Sequence, residues 1–228
     1  MASTPPPRFD PSSRTQLSER DLPRFEGDTL FHRVAQVLCR AECLPRKELY
    51  EAWEVARRTR RRFRGGRVVD LACGHGLLAH LLLLLDDTSP CAIAIDRKLP
   101  GSAERVQAAL TRAWPRLANR VTLTRADIAD LAVSPDDLVV SAHACGPLTD
   151  QVLERAIGAR ARVAVLPCCH SKARCDSGGL EGWLDPALAI DATRAARLRH
   201  AGYRVHTQHI PDTITPKNRL LLGEPLEG

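Results

Sequence analysis

From Arg67 onward the chain alternates short apolar runs with amphipathic segments, and this alternation restricts the fold more than any other feature. Val68 to Leu71, Cys91 to Ile95, Val121 to Thr124, Leu138 to Ser141 and Val163 to Leu166 read as strands rich in β-branched residues. Gly76 to Leu85 and Ala103 to Trp114 read as helices between them. A third helix opens at Pro147, where a helix start tolerates proline, and continues through Val152, Leu153, Ala156 and Ile157. Pro186 to His200 is helical, with Gly202 as its C-cap. Tyr203 to Ile210 and Arg219 to Leu222 are two further strands. The residues between them leave no room for a helix, so these two should pair antiparallel. Such an order implies an α/β fold with a doubly wound, mostly parallel seven-stranded sheet.

The chain has 228 residues, 44% hydrophobic and 26% charged, which suits one globular domain and excludes a mostly disordered chain. Met1 to about Gly27 holds Pro5, Pro6, Pro7 and Pro11 with few apolar positions and is expected to be a poorly ordered tail. Residues 28 to 66 read as a helical N-terminal extension. Asp28 is a candidate cap for a helix carrying Leu30, Phe31, Val34, Val37 and Leu38, which Pro45 ends. Leu49, Tyr50, Trp53 and Ala56 then share one face of a second helix. Residues 67 to 228 would form the α/β domain. The longest apolar run, Leu77 to Leu85, falls far short of a membrane span. Eight cysteines without an export signal point to reduced thiols and a cytoplasmic location. Oligomeric state is left open.

The first strand ends in Asp70-Leu71-Ala72-Cys73-Gly74-His75-Gly76, immediately before a helix. Glycines there let the backbone turn sharply, so that amide groups and a helix N-terminus face a ligand. Asp96 ends the second strand, where a carboxylate can accept both ribose hydroxyls of a nucleoside. Asp127 follows the third. Two cofactors suit this plan. Gly74-x-Gly76-x-x-Ala79 matches the dinucleotide fingerprint of NAD enzymes. But Asp70, four residues before Gly74, would repel a pyrophosphate and attract an ammonium. That charge logic favours S-adenosylmethionine, which carries an amino group and a sulfonium but no phosphate.

Asp70 to Gly76 resembles motif I of the class I S-adenosylmethionine-dependent methyltransferases, Asp-x-Gly-x-Gly-x-Gly, with Ala72 at the first glycine position. The resemblance implies a cofactor site lined by Asp70, Ala72, Cys73, Gly74, Gly76, Asp96, Arg97, Asp127, Ile128 and His143. Two further stretches follow strands four and five. His143, Cys145, Gly146, Thr149 and Asp150 fit His-x-Cys-Gly-x-x-Thr-Asp, and Cys168, Cys169 and His170 fit Cys-Cys-His. Together they resemble the branch containing the tRNA acceptor-stem 2′-O-methyltransferases. That likeness implies an RNA acceptor, although the small zinc modules of those enzymes are missing here.

Methyl transfer to a hydroxyl or amine needs a group to manage the acceptor's proton. His143, with an ordinary pKa of about 6.5, is the candidate base, or else only shapes the pocket. Asp150 either orients His143 or complements a helix dipole. Cys145, Cys168, Cys169, His170 and Cys175 could gather around zinc. Side chains of neighbours such as Cys168 and Cys169 diverge on an extended segment and no Cys-x-x-Cys occurs, so no metal is expected. Cys39 and Cys43 read as core. The formal charge is +6 and nearly every cation is arginine, with Arg57, Arg58, Arg60, Arg61, Arg62 and Arg64 clustered before the sheet. These, with Cys168, His170 and Lys172, are candidate substrate contacts able to grip an RNA backbone, although GC-rich codon usage explains arginine equally well. Trp183 is expected to pack, with base stacking as its alternative.

Overall fold

The computed structural model describes residues 9 to 226. Seven strands form one sheet: β1 (Val68–Leu71), β2 (Ala92–Asp96), β3 (Val121–Arg125), β4 (Leu138–Ser141), β5 (Arg162–Val165), β6 (Tyr203–His209) and β7 (Arg219–Pro225). Their spatial order is β3-β2-β1-β4-β5-β7-β6. The first five are parallel, and β7 runs antiparallel to both β5 and β6. The order reverses direction on either side of β1, and the crevice at that switch point is where ligands bind in such sheets.

Strand alternation sorts the two faces. Val68, Ala92, Ala94, Leu138, Val140, Ala164 and Leu222 face one hydrophobic cluster, and Val69, Leu71, Ile95, Val139, Val163 and Val165 face another. The first is covered by α1 (Leu30–Ala41), α2 (Arg46–Arg62), α3 (Leu77–Leu85) and α4 (Gly101–Ala113). The second is covered by α5 (Pro147–Ala159), with α6 (Pro186–His200) supplying Leu198. Among the described residues no helix is long and apolar enough to cross a membrane.

α1 begins at Thr29 rather than Asp28, because the Thr29 hydroxyl accepts a bond from the His32 N–H. It ends before Glu42, which adopts a left-handed conformation, ahead of Pro45. α2 turns Leu49, Ala52, Val55, Ala56 and Thr59 inward, and packs mainly against α3. It runs antiparallel to the strands. Its first turn reaches the C-terminal edge of the sheet and its last turn the opposite edge, about 20 Å away at 1.5 Å per residue.

The expected N-terminal tail is in large part structure. Met1 to Arg8 lie outside the described residues, but from Phe9 to Gly27 the chain packs against the helical extension. Leu17 and Phe25 are buried in the main core, and a 3-10 turn spans Glu19–Arg24. Asp21, itself buried, is paired with Arg46 of α2 at 2.9 Å. The Phe25 ring meets Phe9 and Phe31 edge-on, with centroids 5.8 and 6.0 Å away. Replacing Phe25 with Ala should therefore cost about 3–5 kcal/mol of unfolding free energy in a denaturant titration. An unchanged midpoint would mean that this segment is not part of the folded core.

Candidate active site

The loop after β1 holds three successive turns with positive φ: Ala72 at 55°, Gly74 at 55° and Gly76 at 69°. A side chain at Gly76 would meet Leu123 at 2.8 Å, and one at Gly74 would press on the His143 ring at 3.3 Å. Ala72 adopts the same left-handed conformation with a Cβ present, at a strain of about 1–2 kcal/mol. The Gly74 N–H donates to Asp96 Oδ2 at 3.0 Å, and Lys98 N–H to Asp96 Oδ1 at 2.9 Å. Asp127 caps the short turn Ile128–Asp130 by accepting from Ala129 N–H, and its other oxygen lies 3.3 Å from Arg97 Nε. The ends of β1, β2, β3 and β4 thus bring Ala72 to Gly76, Asp96, Asp127 and His143 to one crevice.

Asp70 lies beneath this loop, 1% exposed, and neither carboxylate oxygen has a hydrogen-bond partner. Burial pushes its pKa up to about 8; the Ala79 amide, which falls outside hydrogen-bond geometry, offsets part of the rise, and the nearby Asp96 adds to it. A buried acid with no partner is costly unless a ligand completes it.

Beside the crevice lies a cavity of about 470 Å³. Its walls include Lys47, Glu48 and Glu51 of α2, His143 and Cys145 after β4, Cys168 and Cys169 after β5, and Lys217 between β6 and β7. Burial, and then the proximity of His75, lower the pKa of His143 to about 4, so the imidazole is neutral at pH 7 and a weak proton acceptor. Glu48 is the opposite case. Burial, and then Glu51, raise its pKa to about 7, and its Oε2 lies 3.4 Å from His75 Nδ1.

A methyltransferase-domain family model matches residues 47 to 176, more than half of the chain. The chain belongs to this methyltransferase-domain family. No curated protein matches it. Among solved structures, it is similar to an O-methyltransferase family protein from Burkholderia thailandensis, with 19% identity, TM-score 0.53, and coverage of 95% of this chain and 66% of that one. The S-adenosylmethionine-dependent methyltransferase SibL gives 21% identity, TM-score 0.53, and coverage of 93% and 66%. The B. subtilis M1A22 tRNA methyltransferase TrmK gives 15% identity, TM-score 0.52, and coverage of 78% and 66%. The chain spans just under two thirds of the length of each. These likenesses carry the fold.

The methyltransferase domain's cofactor is S-adenosylmethionine, and the crevice fits it. Asp70 offers an unpartnered buried carboxylate for its ammonium. Asp96 stands where ribose hydroxyls can be accepted, and the left-handed loop leaves no room for a side chain at Gly74 or Gly76. A pyrophosphate, as in NAD, offers no cation to complete Asp70.

Several expected site residues of the methyltransferase domain take other roles. Asp150 does not orient His143. Both its oxygens accept from Arg194, at 2.9 Å each. His170 is not free to hold substrate, because Nε2 is 2.8 Å from Asp191 Oδ1 and the side chain is 6% exposed. Arg60 is buried, paired with Asp86 at 3.1 Å and donating to Leu82 O and Ser89 Oγ. Arg57 and Arg58 pair with Glu54. Arg61 and Arg62, in the last turn of α2, and Arg64, just past it, are exposed, but sit at the edge of the sheet opposite the cavity. Cys168 lines the cavity and Lys172 is exposed on the same loop. Trp183 does not pack: it is 89% exposed. No local motif marks Glu48, Glu51 or Lys47 as site residues in the sequence.

Substituting Asp70 with Asn separates its two effects. With a folded pKa near 8 and an unfolded one near about 3.9, the folded domain binds the extra proton, so wild-type stability falls as pH rises from about 4 through 8. Cofactor-free D70N should melt at higher temperature than wild type at pH 8, with little difference at pH 4. The same change should weaken S-adenosylmethionine binding in calorimetry by about 10- to 100-fold, as expected for a lost charged hydrogen bond. Equal melting at pH 8 together with unchanged affinity would exclude this role.

Proposed function

We propose that the chain transfers a methyl group from S-adenosylmethionine to an RNA acceptor. The carrying observation is the placement of lysine. The chain has only Lys47, Lys98, Lys172 and Lys217, and all four stand at the C-terminal edge of the sheet, around the crevice and cavity. Arg14 lines the same cavity, and the loop bearing Lys172 continues to the exposed Arg174 and Trp183. Ammonium charges at this edge, with an exposed aromatic on the loop that carries one of them, suit a phosphate backbone with an unstacked base. The resemblance of the His143 to Asp150 and Cys168 to His170 stretches to the tRNA acceptor-stem branch supports the same acceptor class.

S-adenosylmethionine supplies an electrophilic methyl on a sulfonium. The chain's own residues do the rest. The acceptor enters the cavity, whose wall carries Lys217 and Lys47, the latter paired with Glu51 at 3.2 Å. Glu48, with a pKa near 7, takes the acceptor's proton, since a base works best when its pKa lies near the working pH. His143 stays neutral, and its ring fills the space that a side chain at Gly74 would need.

Two measurements test this. With methyl-tritiated S-adenosylmethionine and, in parallel, total RNA, protein extract and a small-molecule extract, label should enter RNA. Trp183→Ala should weaken RNA binding by about 1–3 kcal/mol, while the double change Arg61→Glu and Arg62→Glu leaves transfer unchanged. Label confined to protein or to small molecules overturns the RNA reading. In the pH profile, kcat/KM should rise through about pH 7 as the Glu48 carboxylate forms, and Glu48→Gln should lower the rate and flatten that limb. A profile identical in E48Q would remove Glu48 from proton transfer.

A further inference from the structure

One cluster in the cavity wall is left unused by the reading above. The sulfur atoms of Cys145, Cys168 and Cys169 all lie within 4.8 Å of one another, with Cys145 Sγ and Cys168 Sγ 2.8 Å apart. Among the described residues it is the only group of three or more ligand-type side chains so gathered. The neighbouring pair Cys168 and Cys169 was expected to diverge as on an extended strand. But β5 ends at Val165, and the irregular backbone beyond it lets both sulfurs approach Cys145.

We propose that Cys145, Cys168 and Cys169 bind a thiophilic divalent cation of the zinc class, with its fourth coordination position open to the cavity. Three observations carry this. The first is donor chemistry: three thiols select zinc-like ions over magnesium or calcium. Zinc–sulfur bonds of about 2.3 Å in tetrahedral geometry place sulfurs about 3.8 Å apart, inside the 4.8 Å span of the cluster, and the Cys145–Cys168 pair at 2.8 Å must open by about 1 Å to admit the ion. The second is charge. Three thiolates and a dication leave one negative charge, and the Lys217 ammonium lies 3.5 Å from Cys169 Sγ to balance it. The third is support. The Gly146 N–H donates to Cys169 O at 3.1 Å, tying the two loops together, and Thr149 Oγ1 donates to Ala144 O at 2.7 Å. The ligand set is therefore held by the fold without the ion.

All three cysteines line the cavity, so the open position faces it. Three protein ligands plus an exchangeable site is the arrangement of a reactive rather than a purely structural zinc. The open position would take water, or a nitrogen, oxygen or sulfur atom of the acceptor. None of this depends on the acceptor being RNA.

The test uses the full chain, purified under reducing conditions without chelator. Elemental analysis should find about one zinc per chain. Exchange for Co²⁺ should give a near-ultraviolet thiolate-to-cobalt band and strong visible bands of a tetrahedral ion. Both should weaken in Cys145→Ser and in Cys169→Ser and persist in Cys91→Ser. Circular dichroism and S-adenosylmethionine binding check that each variant is folded, and if one is not, the wild-type stoichiometry and cobalt spectrum decide alone. The proposal is overturned if the reduced protein holds no thiophilic metal after incubation with Zn²⁺ or Co²⁺. It is equally overturned if mass spectrometry shows a Cys145–Cys168 disulfide persisting under those reducing conditions.

Discussion

The geometry of the site rests on one buried guanidinium. Arg194, 1% exposed, donates to both oxygens of Asp150 in α5, to the Gly146 carbonyl, and to Asp191 at 3.2 Å. Asp191 accepts in turn from Arg219 of β7 at 2.7 Å and pairs with His170. Burial alone would raise the Asp191 pKa, but the bonds from His170 and Arg219 outweigh it and hold it low. Breaking one partner out of such a network leaves an unpaired buried charge, at about 3–5 kcal/mol. The network joins α5, α6, β7 and the loops after β4 and β5. It fixes the distance between the loop carrying His143 and Cys145 and the loop carrying Cys168 and Cys169. Asp150 and His170 belong to this brace, while His143 and the three cysteines line the cavity beside it.

The crevice and the brace treat buried acids in opposite ways. In the brace every carboxylate oxygen finds a cation, so the region is rigid before any ligand arrives. In the crevice Asp96 is satisfied by backbone amides of the loop, whereas Asp70 has nothing. An unpaired carboxyl held in a dry pocket lowers the stability of the free domain and becomes favourable only when a cation enters. The same logic explains the left-handed Ala72, which accepts strain so that the loop can approach a ligand closely.

Much of the fold was legible in the sequence because its signals are local. The β-branched runs, the turn glycines and the proline helix starts place each strand of the sheet to within a few residues, and the short β6–β7 connection gives the antiparallel pair. The crevice was legible for the same reason: Asp70 to Gly76, Asp96 and Asp127 each sit at a strand end. What escaped depends on contacts distant in sequence. Leu17 and Phe25 are too sparse to show any periodicity, yet both are buried by α1 and α2. Glu48 belongs to a helix that precedes the sheet, and only the antiparallel run of α2 carries its first turn over the cavity. Asp150 read as possible chemistry because the partner that occupies it, Arg194, lies 44 residues away.

Charge shows most clearly why composition misleads here. The excess of arginine suggests a polyanion partner, but many of the guanidiniums close the fold by donating to carbonyl oxygens. Arg60 reaches Leu82 O, Arg116 reaches Leu84 O, and Arg162 reaches Arg64 O, Gly65 O and Asp136 O. A fork of five donors on a weakly hydrated cation suits that work, and an ammonium does not. Lysine stands instead at the cavity edge, where Lys47 pairs with Glu51 at 3.2 Å and Lys217 donates to Cys169 Sγ. The edge of the sheet that holds the cavity is therefore marked by the rarer cation. The arginine cluster that dominates the sequence is partly internal and otherwise stands at the edge of the sheet opposite the cavity.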